Sequence, residues 1–80
     1  MAIVGKVTHY FPKVSVAVVE VSGTIKVGDK IKFEDHGATF EQEVESMEME
    51  HKKLDVATKG MAIGMKVAGN IKPGATVSKE

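Results

Sequence analysis

Apolar and polar residues alternate along this chain in short runs, and glycines and prolines separate the runs. Residues 29–34 set Ile31 and Phe33 on one side and Lys30, Lys32 and Glu34 on the other, which is the two-residue period of a half-buried strand. Residues 61–67 repeat it, gathering Met61, Ile63, Met65 and Val67. Residues 3–11 predict another strand, stopped by Pro12, which cannot donate a ladder hydrogen bond. Residues 14–21 are apolar on nearly both faces, as expected in the middle of a small barrel, and Gly23 closes that run. A last short strand, Thr76–Lys79, follows the turn "KPG".

Residues 39–60 read two ways. Thr39 and Gln42 resemble a helix capping box, Glu48 and Lys52 make a favourable i,i+4 pair, and Gly60 would end the helix. As a strand, Phe40, Gln42 and Val44 share one face and Glu41, Glu43 and Glu45 the other. Past Ser46 both sets switch, and Met47 and Met49 take the apolar role. One extra residue near 45–46, a β-bulge, accounts for both switches at once. The strand reading also gives the acidic run a structural role. With residues 35–38 as a hairpin loop, Lys32 stands opposite Glu41 and Lys30 opposite Glu43. Exposed pairs of this kind contribute about 0.2–1 kcal/mol each and fix register.

Composition sides with strands. Val and Ile number 17 against one Leu. Branching at Cβ suits a pleated sheet, whereas helical cores draw on Leu, so the chain reads as all-β. Eighty residues make one domain, 1–80, with no room for a second core. The absence of cysteine removes disulfides, thiolate metal sites and thiol nucleophiles, and it fits a reducing compartment. No stretch resembles a signal peptide or a membrane span, so a cytoplasmic protein without membrane contact is expected.

The formal charge is zero but unevenly spread: residues 1–33 carry a net +3, residues 34–50 a net −7 and residues 51–80 a net +4. Nucleic-acid binders usually show an overall basic excess, so RNA binding here would need one basic face held apart from the acidic run.

The search for chemistry returns little. Gly23 and Gly28 have the separation of a phosphate loop, but Asp29 and Lys30 follow where Lys and Ser or Thr are needed. A carboxylate would sit where phosphate belongs, and no helix follows to lend its amides, so GTP is not expected. His9, His36 and His51 are far apart, and no spacing supports a metal site. Ser15, Ser22, Ser46 and Ser78 have no nearby base. No catalytic residue, metal or cofactor is expected, and the protein reads as a non-enzyme. Met47, Met49, Met61 and Met65 are expected to fill the core in preference to forming an adaptable surface. The remaining signal is basic. Lys6, His9, Tyr10 and Lys13 cluster around the first turn, and Lys52 and Lys53 follow His51 in a second cluster. Such groups could hold a phosphate backbone and stack a base, or they could be ordinary solvated side chains at strand ends.

In order along the chain stand "VGKV" at 4–7, "GTIKVGDKIKF" at 23–33, "VESMEMEHKKLDVATKGMAIGMKV" at 44–67 and "IKPGATV" at 71–77. This ordered set resembles the second domain of the translational GTPases, such as elongation factor Tu and the initiation factor relatives. The carrying positions are Gly5, Gly23, Lys26, Val27, Gly28, Asp29, Val44, Gly60, Ile63, Gly64, Ile71 and Gly74. The resemblance implies a small closed antiparallel β-barrel of six to seven strands that does no chemistry and contacts RNA. A free-standing translation-factor-like domain binding RNA or a ribosome-associated partner is the leading expectation, with Lys6, Lys13, Lys52 and Lys53 on phosphates and His9 and Tyr10 stacking. The segment "THYFPKVSVAVVEV" replaces the glycine-rich stretch of many such factors, and the nucleotide domain has no counterpart here. Similar barrels also occur as accessory domains of collagenase-like peptidases, so the alternative is a protein-interaction domain docking on a partner enzyme.

Overall fold

The structure, a computed structural model, describes residues 2–35, 37–50, 52–69 and 71–79. Among these residues ten strands form: β1 (Ala2–Phe11), β2 (Val16–Val21), β3 (Ile25–Lys26), β4 (Lys30–Asp35), β5 (Ala38–Glu43), β6 (Met47–Met49), β7 (Lys52–Leu54), β8 (Val56–Ala57), β9 (Ala62–Lys66) and β10 (Thr76–Lys79). No helix occurs among the described residues, so the all-β expectation from Cβ-branching holds. Eight strands make one antiparallel sheet in the order β5-β4-β10-β1-β2-β9-β6-β7, and β3 and β8 make a separate ribbon.

The expected closed barrel of six to seven strands is corrected in two respects. The strands are more numerous, and the sheet does not close on itself, because β5 and β7 remain its two edges. Other bonds hold the seam. Gln42 on β5 donates from Nε2 to the Lys66 carbonyl at 3.0 Å, and its Oε1 accepts the Ala68 N–H at 2.9 Å. Val44, one step past β5, extends the β4–β5 pairing instead, accepting from the Gly28 N–H and donating to the Asp29 carbonyl, each at 2.9 Å. A side-chain amide thus replaces the ladder that a closed sheet would continue. Gln42→Ala removes both amide bonds, and at a net 0.5–1.5 kcal/mol each the expected loss is about 1–3 kcal/mol. Urea unfolding would register it as a lower midpoint with an unchanged slope.

The seam also explains residues 39–50. They form two strands and no helix, ending in a turn at Glu50, and the parity switch is a change of partners and not a bulge. β5 pairs with β4, the chain crosses the seam through residues 44–46, and β6 then pairs with β7 and β9. The bulges lie in β1, where the register shifts between Ile3 and Gly5 and again between Val7 and His9.

The β4–β5 hairpin has the expected register, with Lys30 opposite Glu43 and Lys32 opposite Glu41, and the pair Asp35–Ala38 closes it. The ion pair that Lys32 makes runs along its own strand, to Glu34 at 3.6 Å. The core gathers Val7, Val19, Ile31, Phe33, Ile63 and Val77 from both halves of the sheet and Ile25 from the ribbon. Met47 and Met65 are fully buried in it and Met49 and Met61 pack against it, so the methionines fill the core as expected.

The phrase "KVGD" is a turn with its own lock. Gly28 takes a φ of +96°, a conformation that a side chain would strain. The Asp29 carboxylate accepts the Lys26 N–H at 2.9 Å, and Lys79 lies 3.4 Å away. The Lys26 amide bond above all, opposed by desolvation and helped by the Lys79 ammonium, holds the Asp29 carboxyl below the usual carboxylate range. The same carboxylate that rules out a phosphate loop therefore shapes the turn.

Candidate interaction surface

The candidate residues of the first cluster lie on or just beyond β1, and the second bulge decides where they point. Thr8 is the extra residue, with Val7 opposite Val19 before it and His9 opposite Val18 after it. The parity of β1 therefore changes there. Val7 points inward before the bulge, and Tyr10, not His9, points inward after it, opposite the buried Ala17. The Tyr10 hydroxyl donates to the Gly69 carbonyl at 3.2 Å, and its ring packs against the core. Tyr10 is thus half-buried, tied to the core by its ring and to Gly69 by its hydroxyl.

His9 and Phe11 share the outer face, their rings stacked with centroids 6.4 Å apart. Lys13 is exposed in the turn joining β1 to β2, where Ser15 takes a φ of +55° and the Val14 N–H bonds to the Phe11 carbonyl. Lys6 is exposed farther down β1, directly opposite Glu20 on β2. Lys52 and Lys53 lie on the edge strand β7, and Lys53 stands opposite Glu48.

The structure thus keeps the two basic clusters apart. β2, β9 and β6 lie between β1 and β7, four strand spacings or about 19 Å along the sheet. Lys6 and Lys53 each face a glutamate across the ladder. His36 and His51, which a metal site would need beside His9, lie outside the described residues. Among the described residues no three His, Asp or Glu side chains gather closely enough to hold a metal ion. Every buried side-chain nitrogen or oxygen of the described residues has a partner. A cleft on the β4–β5 hairpin is lined by residues 30–32 and 41–43, among them Lys30, Lys32, Glu41 and Glu43, which stand opposite one another in the hairpin register.

Reasoning from charge missed an apolar patch. Phe11 is 51% exposed and Val14 61%. Val16 and Val18 on β2 are half-buried and share the outer face with Phe11 and His9, their partners on β1. Across β2, Val16 faces Lys66 and Val18 faces Gly64 on β9. The signal was present in residues 14–21, apolar on nearly both faces. β2 does lie inside the sheet, between β1 and β9, but only its inner face is covered. A second, smaller apolar pair is exposed at the β3–β8 ribbon, Val27 at 44% and Val56 at 42%.

Comparison with known proteins places this geometry. Residues 15–78 match the elongation factor Tu domain 2 family. An uncharacterized protease of Methanocaldococcus jannaschii is 35% identical over 77 residues, which is 92% of this chain and 18% of that protein. The chain therefore spans less than a fifth of the length of this curated relative. Among solved structures, the C-terminal domain of a Geobacillus thermoleovorans protein assigned to the U32 peptidases superposes with a TM-score of 0.92 at 26% identity, covering 99% of this chain and 92% of that one. A selenomethionine variant of that domain gives the same TM-score at 24% identity, with 99% and 100% covered.

Proposed function

Because the chain belongs to the elongation factor Tu domain 2 family, and because the fold alone does not choose between translation and other uses, we propose that it is a non-catalytic accessory domain that docks on a U32-type peptidase. The observation that carries this reading is the match to a peptidase C-terminal domain along nearly the whole of both chains. The protease relative, 35% identical, points the same way. The outer surface is compatible with docking, since an exposed apolar patch is the feature that protein partners cover.

RNA binding through Lys6, His9, Tyr10, Lys13, Lys52 and Lys53 is the competing proposal, and it asks the two separated clusters to work on one polyanion. One experiment separates the two readings. The chain is mixed with the M. jannaschii protease trimmed of its matching segment, and in parallel with a structured RNA, and each mixture is run on a sizing column at low salt. Co-elution with the trimmed protease and not with RNA is the expected result. Co-elution with RNA alone, lost steeply as salt rises, would establish the competing reading.

A further inference from the structure

We propose that the outer face of the β1–β2 hairpin, centred on Phe11 and Val14, is the surface that seats on the catalytic part of a U32-type peptidase, and that the partner presents carboxylates around an apolar spot. This rests on the accessory-domain reading above and adds to it the docking face and its chemistry.

The first support is the placement of β2. A strand with valines on both faces is expected where both faces are covered, yet Val16 and Val18 line an outer face that no element of the described chain covers. Phe11 and Val14 extend that face to the hairpin tip. Val16 leans over Gly64, where a Cβ would come 3.2 Å from the Val16 Cγ1, so the absence of a side chain there lets the valine lie flat across the outer face.

The second support is charge. Lys13 lies in the turn beside Val14, and Lys66 faces Val16 across the ladder. Two carboxylates border the face at its far end, Glu48 beyond Gly64 and Glu20, which follows Val18 along β2 and stands opposite Lys6. The hairpin tip, an apolar centre flanked by Lys13 and Lys66, fits a partner that presents carboxylates there. A second copy of this chain, pairing by a two-fold axis, would bring Lys13 and Lys66 toward their own mates and is disfavoured. RNA would leave the apolar centre facing phosphates.

The test uses the absence of cysteine in the chain, which makes any introduced thiol unique. Val14→Cys probes the proposed face and Val56→Cys the ribbon pair. Both sites are exposed, so neither change empties the core. Each variant is reacted with a maleimide, alone and with the trimmed M. jannaschii protease, and labelling of this chain is followed by mass spectrometry. At the centre of a desolvated contact, labelling at position 14 is expected to slow by about tenfold or more while position 56 is unaffected. The double variant Lys13→Glu, Lys66→Glu is expected to weaken the complex by about tenfold and to make it less sensitive to salt. A complex that forms while position 14 labels at the free rate, or while position 56 is the one protected, overturns the proposed face and leaves the accessory reading standing. Affinity unchanged by the double variant overturns the carboxylate rim. Slowed labelling of position 14 by the chain alone at high concentration overturns the heterologous partner in favour of a second copy. No complex at all removes both readings.

Discussion

Replacing Phe33 by alanine is expected to lower the unfolding free energy by about 3–5 kcal/mol, the range for deleting a buried aromatic ring. Phe33 is 2% exposed on β4, between Val77 of β10 and Phe40 of β5. Its ring lies 6.2 Å from that of Phe40, tilted by 30°. The ring therefore fastens the edge strand to the interior, and alanine leaves a cavity under β5. A chain of 80 residues has about 4–12 kcal/mol in total. The variant is thus expected to be near unfolding at room temperature, read by circular dichroism and by a collapsed denaturation midpoint. A loss below about 1 kcal/mol would mean that β5 is not held by this contact.

Gly5→Ala is the second large effect, although it adds a single methyl group. A Cβ at Gly5 would come 2.7 Å from the Val19 Cγ1 and 3.0 Å from the Glu20 carbonyl oxygen. Val19 is wholly buried and Glu20 is paired in the ladder on both sides, so neither can retreat without disturbing the sheet. Overpacking of this kind costs about 1–3 kcal/mol. The cause is checked by a double-mutant cycle with Val19→Ala. Removing the Val19 methyls should relieve the clash, so the double variant is expected to be less destabilised than the sum of the singles by at least about 0.5 kcal/mol. Additive effects would place the cost elsewhere. The glycine that carries the family phrase "VGKV" is thereby explained by close approach of two strands.

How far the sequence reached depends on which physical quantity each residue reports. Alternation reports local burial, so residues 29–34, 61–67 and 76–79 were legible nearly to the residue as β4, β9 and β10. The polar, glycine-containing stretch at 35–38 reports a hairpin loop, and placing the loop there set the Lys32–Glu41 register correctly. Parity along one strand does not report which strand lies alongside. The switch after Ser46 therefore suggested a bulge, when the cause is a crossing from β4 to a new partner, β9. Closure failed for the same reason, since nothing in the residues around Gln42 distinguishes a ladder from an amide bridge.

The interaction surface was harder still. Tyr10 was grouped with His9 because they are neighbours, but the bulge at Thr8 sends Tyr10 inward to Gly69. Bulges of this type leave little trace in a single sequence. The apolar outer face of β2 was visible as a pattern yet attributed to burial, because a strand covered on both sides and one left open look the same in letters.

The most direct measurement is a calorimetric titration of the trimmed M. jannaschii protease with this chain, at low and high salt and at several temperatures, alongside the same titration with RNA. The expected result is saturable binding to the protease with a negative heat-capacity change, the mark of apolar burial, that survives high salt, and no saturable binding of RNA. Absence of heat with the protease, together with RNA affinity that falls log-linearly as salt rises, would contradict it.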